Sequence, residues 1–224
     1  MIDNLVEKII NSTIETYPYN HIVIENFIDY GRSGFLVEEE FRNKFNDDDL
    51  IEWGDLENNG SKWMIRDSNR LNGLDKILTN KKVIDSIQEK FELTQELHHD
   101  PSFEGGGLTL SPVNSFLQYH CDFNWSSKME MYRVVNCLYY LNNDWKEKYG
   151  GCLHMLNSKT LTVEKIVEPI FNRLVILLTS INTPHGVSVN RFGFERLSFN
   201  SYLYSKVPPS EEQIEPHRTV WIGI

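Results

Sequence analysis

Two residue types that bind divalent metals stand two positions apart in the middle of the chain. His120 and Asp122 lie within a run of good strand formers, residues 116–123. Because side chains alternate between the faces of a strand, both should point the same way. His185, which follows a turn-like Asn-Thr-Pro segment, is the candidate for a third ligand. Two histidines and one carboxylate leave coordination positions open, which is typical of non-haem Fe(II) sites rather than of closed structural zinc sites.

A cation and a hydroxyl follow this set along the chain. Arg196 and Ser198 begin a strand-like run, so they should share one face. A guanidinium can hold a carboxylate through two charge-assisted hydrogen bonds, and a hydroxyl can add a third. The alternative is that Arg196 pairs with an acidic neighbour at the surface. A His-x-Asp tripeptide is also weak by itself, because strand histidines are often ordinary core or surface residues.

The second half of the chain is predicted to be a β domain. From residue 103 onward, short runs of β-branched and aromatic residues alternate with turn signals. These runs predict strands at 108–110, 116–122, 132–141, 152–156, 163–167, 173–178, 185–189 and 196–204. Short strands in this number, without helices between them, suggest two facing sheets or a jelly roll.

The first half supplies helices that would support those sheets. Apolar residues at helical spacing predict an amphipathic helix over residues 1–17, closed by Pro18. Further predicted elements are a strand at 21–27 and helices at 34–45 and 76–91. The polar segment 46–75 has no clear pattern and receives no assignment.

The length and composition favour one soluble domain. A chain of 224 residues with 40% hydrophobic content can form one sizeable core. We expect residues 1–102 to form a helical and strand support region, residues 103–205 the β core, and residues 206–224 a C-terminal tail.

Charge and cysteine content narrow the possible partners. The chain carries 22 Lys and Arg against 32 Asp and Glu, a formal charge of −10, which disfavours nucleic acid as a partner. Its three cysteines form no C-x-x-C pair, so a disulfide framework or a zinc knuckle is not expected. No membrane-spanning or secretion segment is predicted, and we expect a cytoplasmic protein.

The motifs also resemble a known family. The order His120-x-Asp122, His185, then Arg196 with Ser198 resembles the signature of the 2-oxoglutarate/Fe(II)-dependent oxygenase superfamily. The segments 136–145, Asn-Cys-Leu-Tyr-Tyr-Leu-Asn-Asn-Asp-Trp, and 148–153, Lys-Tyr-Gly-Gly-Cys-Leu, resemble the prolyl 4-hydroxylase-like branch, which includes the hypoxia-sensing prolyl hydroxylases. The glycine run at 105–107 is similar to that of uncharacterised phage and bacterial members.

The resemblance implies a fold, cofactors and a further site residue. It implies a mainly β protein with supporting α-helices, in which N-terminal helices precede a double-stranded β-helix, or jelly roll, core. The cofactors would be Fe(II) and 2-oxoglutarate as cosubstrate, with ascorbate as an optional addition. In the family, the second tyrosine of Tyr-Tyr-Leu-Asn contacts the far carboxylate of 2-oxoglutarate, and Tyr140 matches it. Its alternative role is that of a core aromatic residue.

The expected activity is hydroxylation of a peptidyl prolyl residue or a small substrate, with release of succinate and CO2. Asp122 favours hydroxylation over halogenation, because halogenating relatives lack that carboxylate.

Residues 110–116 differ from the Tyr-x-Gly segment of prolyl hydroxylases, so peptidyl proline is not carried over directly as the substrate. Arg133 matches a residue near the substrate entrance of the relatives, but strict alternation puts it on the face opposite Tyr140. Both could serve the site only across a bulge or at a strand end, so Arg133 is left out of the predicted site.

Two other functions remain open at this stage. One is a cupin-like metal-binding protein that uses the three ligands without 2-oxoglutarate. The other is a non-catalytic binding module on the same scaffold. The sequence leaves the substrate and the oligomeric state unknown.

Overall fold

The computed structural model describes residues 1–46, 51–55, 60–191 and 193–223. The α-helices within these ranges are α1 (Ile2–Asn11), α2 (Gly34–Asn43), α3 (Leu74–Leu78) and α4 (Lys81–Lys90). The β-strands within them are β1 (His21–Ile24), β2 (Ile51–Asp55), β3 (Gly60–Ile65), β4 (His98–His99), β5 (Gly107–Ser111), β6 (Leu117–Cys121), β7 (Trp125–Ser126), β8 (Met131–Tyr140), β9 (Leu153–Leu156), β10 (Val163–Val167), β11 (Arg173–Leu178), β12 (His185–Val187), β13 (Arg196–Ser205) and β14 (Val220–Trp221).

The strands form two antiparallel sheets. The major sheet has the order β1, β11, β8, β13, β5, β3, β2, with β4 added to β13 and β7 added to β8. The minor sheet has the order β10, β9, β12, β6, β14. Consecutive strands of the chain thus alternate between the two sheets over much of the second half. This arrangement confirms the predicted mainly β, jelly-roll core with helices before it.

Alternation along the central strands divides the apolar residues into two clusters. On β11, Leu174 and Ile176 join the helices on the outer face of the major sheet, whereas Val175 and Leu177 join a smaller cluster between the sheets. Helices α1 and α4 pack on the outer face, where Leu5 and Ile9 are fully buried. The outer face is therefore closed by helices, and the inner face is left for a cavity.

The first helix is shorter than predicted. It ends at Asn11 rather than at residue 17, because Ser12 takes an extended conformation and its hydroxyl bonds back to the Ile9 carbonyl oxygen at 2.6 Å. Glu15 then exchanges two backbone hydrogen bonds of 2.9 Å with His21. The spacing of apolar residues continues beyond Asn11 because the segment before β1 also packs apolar side chains, such as that of Ile14, against the core.

The predicted helix at 76–91 is two helices. Helix α3 stops at Leu78, where the hydroxyl of Thr79 donates to the Asp75 carbonyl oxygen at 2.8 Å. Asn80 then caps α4, since its side chain accepts from the Lys82 amide at 3.0 Å. The Thr-Asn pair was the local signal for this break.

Two segments contribute strands that the sequence did not predict. Part of the unassigned segment 46–75 forms β2 and β3, which extend the major sheet beyond β5. The residues 47–50 and 56–59 of that segment lie outside the described ranges. The C-terminal tail contains β14, which pairs with β6 of the minor sheet. The division into three parts stays a prediction. Strands from residues 1–102 and from residues 206–224 join the sheets that the middle part forms.

In the described part of the chain, no helix combines the length and apolar character needed to cross a bilayer.

A glycine turn between β8 and β9 provides a test of the fold. Gly150 has a φ of +71°, and a Cβ added there would collide with the backbone carbonyl oxygen of Val189. We expect Gly150→Ala to lower the free energy of unfolding by about 2 kcal/mol or more, because the clash adds to the cost of the left-handed conformation. Thermal and urea denaturation would measure this change.

The matched control is Gly31→Ala. Gly31 has a φ of +56°, but an added Cβ meets no atom within 4 Å. This variant should lose only about 1 kcal/mol, from the backbone conformation alone. Equal losses in the two variants would contradict the close packing of the glycine turn.

Candidate metal centre

The three predicted metal ligands come together between the sheets. Strands β6 and β12 are antiparallel neighbours, and His120 lies directly opposite His185. Their ring centroids are 4.6 Å apart. Asp122 follows immediately after β6, and ligand atoms from the three residues lie within 4.8 Å of one another. All three side chains are buried.

Both histidines are oriented by the backbone in the same way. The Nδ1 of His120 lies 2.8 Å from the Gln118 carbonyl oxygen, and that of His185 lies 3.0 Å from the Thr183 carbonyl oxygen. In each case the Nδ1–H donates to the residue two positions earlier, so the Nε2 lone pair is left for a metal. Burial, above all, lowers the pKa of His185 to about 4, which favours the neutral, metal-binding form.

Asp122 lies between the two imidazoles. Its Oδ1 is 3.4 Å from His120 Nε2, and its Oδ2 is 3.4 Å from His185 Nε2. Burial would raise the pKa of this carboxyl group, but Arg133 and the two histidines together hold it below its ordinary range. The carboxylate is therefore charged at neutral pH, as a hard metal ligand must be.

Two residues of β8 hold the Asp122 carboxylate in position. The side-chain amide of Asn136 donates to Oδ2 at 2.7 Å, and Arg133 lies 3.4 Å from the same oxygen. Arg133 also donates to Asn136 Oδ1, from Nε at 2.8 Å and from a terminal nitrogen at 2.6 Å. Its guanidinium is stacked 3.5 Å from the centroid of the Tyr202 ring. This network neutralises and orients the carboxylate.

A β-bulge explains why Arg133 reaches the site. In the pairing of β8 with β13, Val135 lies opposite Leu203 while Arg133 lies opposite Tyr204, so Val134 is an extra residue. The bulge resets the alternation, and Arg133 lines the same cavity as Asn136. Arg133 was not predicted as a site residue, because no local signal in the sequence marks the bulge.

The triad opens into a cavity of about 270 Å³ between the sheets. Leu138, Leu153 and Val187 line it, and Arg196 lies on its wall. Ser198 is adjacent, with its hydroxyl 3.3 Å from a terminal nitrogen of Arg196. The cavity thus has a metal-binding part and a cationic part, joined by apolar walls.

The cationic part contains polar atoms without partners. The hydroxyl of Tyr140 and the Nε of Arg196 are both buried and make no hydrogen bond of regular geometry with the described residues, although the Arg196 guanidinium lies 5.0 Å from the centroid of the Tyr140 ring. Such buried groups are costly unless a ligand satisfies them. A carboxylate fits, since it accepts from several donors at once. Burial raises the pKa of Tyr140, so the hydroxyl keeps the proton that it would donate.

The motif that resembled prolyl 4-hydroxylases builds this end of the cavity. Asn142 is fully buried, and its side chain bonds both the amide and the carbonyl oxygen of Leu197, at 2.7 and 2.9 Å. Trp145 donates to the Gly150 carbonyl oxygen at 2.9 Å. A Cβ on Gly151 would lie 3.2 Å from Cδ of Arg196, so glycine leaves room for the arginine stem.

The C-terminal tail forms another wall, which the sequence analysis did not predict. Trp221 lies opposite His120 in the pairing of β14 with β6, and the two ring centroids are 5.1 Å apart. Trp221 also lines the cavity. Asn124 fixes the tail, since its side chain bonds the backbone of Gln213, Glu215 and His217 at 2.7 to 3.0 Å.

The donor set fits Fe(II). Two imidazole nitrogens and one carboxylate oxygen lie within 4.8 Å of one another, and all three residues also line the cavity. Mixed nitrogen and oxygen ligands with open positions suit a catalytic transition-metal ion. The remaining described histidines do not join this group.

The role of Asn136 can be tested through metal affinity. We expect Asn136→Leu to weaken Mn(II) binding about tenfold or more, because the variant lacks the 2.7 Å hydrogen bond to Asp122. The Oδ2 of Asp122 then loses this donor, and the carboxylate is no longer held in position. Asn200→Leu is the control, since Asn200 lines the same cavity while its Oδ1 has no partner among the described residues. Calorimetric titration with Mn(II) measures both variants, and equal affinities would contradict the assigned role.

The attachment of the tail can be tested by hydrogen exchange. Asn124→Ala removes three side-chain hydrogen bonds to the tail, so the amides of residues 213–223 should exchange about tenfold faster or more. The exposed Asn143→Ala is the control. Unchanged protection in the Asn124 variant would show that the pairing of β14 holds the tail by itself.

Comparisons with known proteins agree with this geometry. Residues 107–204 match the sequence model of the 2OG-Fe(II) oxygenase superfamily. Prolyl hydroxylase EGLN3 of Mus musculus is 39% identical over 57 residues, which is 25% of this chain and 23% of that protein. The chain therefore spans less than a quarter of the length of this curated relative.

Solved structures show the same fold at lower identity. A prolyl 4-hydroxylase from Pseudomonas putida aligns with a TM-score of 0.63 at 22% identity, covering 92% of this chain and 100% of that one. A Trichoplax adhaerens prolyl hydroxylase in complex with a hypoxia inducible factor peptide fragment aligns with a TM-score of 0.61 at 17% identity, covering 92% and 89%. HygX from Streptomyces hygroscopicus, solved with nickel and 2-oxoglutarate bound, aligns with a TM-score of 0.56 at 11% identity, covering 90% and 92%.

Sequence and fold agree over the part of the chain that contains the three ligands and Arg196. Residues 107–204 carry the sequence pattern and the fold of the 2OG-Fe(II) oxygenase superfamily, and this chain resembles its prolyl 4-hydroxylase-like members.

Proposed function

We propose that this protein is an Fe(II)- and 2-oxoglutarate-dependent oxygenase that hydroxylates a peptidyl prolyl residue or a small substrate. The observation that carries the proposal is one cavity with two complementary parts. One part has the buried His-Asp-His group, and the other has the unpartnered donors of Arg196 and Tyr140. A ligand that chelates the metal at one end and carries a carboxylate at the other fits both parts.

The residues of the cationic part would bind and orient 2-oxoglutarate. Arg196 offers its unpartnered Nε, and Tyr140 offers a buried hydroxyl that remains protonated. Ser198 adds a hydroxyl beside the guanidinium. Apolar side chains between the two ends exclude water from the middle of the ligand, which strengthens these polar contacts.

The residues of the metal part would hold Fe(II) and keep it in one geometry. Bound Fe(II) supplies the oxygen activation that is coupled to decarboxylation of 2-oxoglutarate to succinate and CO2, with one oxygen atom going to the substrate. Asp122 keeps a carboxylate in the ligand set, which favours hydroxylation over halogenation. Arg133 and Asn136 keep that carboxylate charged and directed toward the metal position.

A peptide or a small molecule is the proposed substrate class. The likeness to prolyl hydroxylases, one of them in complex with a peptide, supports a peptidyl prolyl residue. The segment 110–116 differs from those enzymes, and it supplies Ser115 and Phe116 to the cavity wall. The difference therefore lies on the cavity wall, which supports a substrate preference distinct from that of the relatives.

A metal-binding protein without 2-oxoglutarate and a non-catalytic module remain the alternatives. Neither accounts for the buried, unpartnered donors of Arg196 and Tyr140, because such groups lower stability unless a ligand uses them. The unpartnered donors favour the oxygenase over both.

Succinate formation tests the proposal. The full chain, loaded with Fe(II) without oxygen and then exposed to oxygen and 2-oxoglutarate, should form succinate even without a substrate. His185→Ala and Asp122→Ala should abolish this turnover, because each removes a metal ligand. Arg196→Ala should raise the KM for 2-oxoglutarate about tenfold or more, because a charge-assisted contact is lost.

Two controls make the result specific. Arg32→Ala removes an exposed arginine, and His98→Ala removes a histidine outside the metal group. Both should retain wild-type turnover. If wild type binds Mn(II) yet shows no affinity for 2-oxoglutarate by calorimetry, the oxygenase proposal is wrong and the cupin-like alternative takes its place.

A further inference from the structure

Lys62 lies in the segment 46–75, for which the sequence predicted no element, and its side chain lines the cationic part of the cavity. In the major sheet, Arg196 of β13 pairs with Ser111 of β5, and Trp63 of β3 pairs with Leu110 of β5. By continuation of this register, Lys62 lies next to Ser111. Lys62, Ser111 and Arg196 all line the cavity, so they form one row across three adjacent strands.

This row puts two cations at one end of the cavity. Burial, followed by the charges of Arg196 and Arg66, lowers the pKa of Lys62 to about 8. The charge of Asp122 belongs to the other end, where Arg133 and the two histidines surround it. The charge of Arg196 disfavours the protonated form of Lys62, which is half-buried, and an anion bound beside both side chains would favour it.

We propose that Lys62 is a second cationic residue for the far carboxylate of 2-oxoglutarate, which it shares with Arg196 and Tyr140. This inference rests on the proposed function. The row across β13, β5 and β3 supports the cosubstrate rather than the substrate as the partner, because it joins Lys62 to the residue that holds the cosubstrate. The ammonium group would then act as a point charge beside the planar guanidinium.

The charge of Lys62 gives the binding a characteristic pH dependence. The bound anion favours the protonated lysine, so 2-oxoglutarate binds the charged form more tightly. Since the pKa of Lys62 in the free protein is about 8, the affinity should be constant below that pH and fall as the pH rises above it.

A pair of ligands tests the inference on the full chain loaded with Mn(II). One ligand is 2-oxoglutarate, and the other is 2-oxopentanoate, which has the same chelating end but no far carboxylate. At about pH 7, Lys62→Met should weaken 2-oxoglutarate binding about tenfold to a hundredfold, the loss of one charge-assisted contact. Its binding of 2-oxopentanoate should stay within about twofold of wild type.

Matched variants complete the experiment. Lys159→Met removes an exposed lysine and should bind both ligands like wild type. Lys62→Arg should keep most of the affinity for 2-oxoglutarate and should not lose it above pH 8. Circular dichroism and the Mn(II) affinity of each variant show that it is folded and that the metal centre is intact.

The possible outcomes separate this inference from the proposed function. If wild type binds neither oxo acid, the proposed function itself is wrong. If wild type binds 2-oxoglutarate and Lys62→Met binds it equally well, the oxygenase proposal stands and the role of Lys62 is wrong. If the folded Lys62→Met variant loses the same affinity for both ligands, the inference is also wrong, because Lys62 would then not contact the far carboxylate.

Discussion

One buried carboxylate organises the centre of this protein. Asp122 is 8% exposed and carries its charge between two imidazoles. A charge in such a place is tolerated only when hydrogen bonds and opposite charges surround it. The position of β8 beside β13, the bulge that turns Arg133 inward, and the amide of Asn136 all serve this need. The metal position exists because these groups fix the carboxylate from one side and leave the other side to the cavity.

The sequence was enough to choose three candidate metal ligands, but it did not indicate the residues that surround them. His120, Asp122 and His185 could be chosen because residue type and strand spacing indicate metal chemistry, and Arg196 because a family pattern places a cation after them. Arg133 could not be chosen, since the bulge depends on pairing with β13, which is not local. Trp221 was missed for a similar reason, because the two-residue edge strand β14 has little pattern of its own and its place is fixed by pairing with β6.

The electrostatics of the chain differ between its surface and its interior. The formal charge is −10, yet among the described residues the cavity wall contains Arg196, Lys62 and Arg133 against one carboxylate, Asp122. An anionic ligand is thus repelled at long range and attracted only at short range, where burial strengthens the attraction. A small dianion that enters the cavity would be stabilised there by these cations.

The bulge at Val134 also divides strand β8 into two parts. The face of the sheet to which the side chains of one part point is set independently of the other part. Residues 135–140 keep the alternation that presents Asn136 and Leu138 to the cavity and puts Tyr140 on the same face of the strand. A one-residue deletion in an unbulged strand would turn every side chain on one side of the deletion to the other face. In β8, deletion of Val134 would reorient only residues 131–133, because the strand begins three residues before the bulge. In evolution, the approach to the metal centre could therefore be remodelled by a single insertion or deletion while the cosubstrate end of the same strand stayed unchanged.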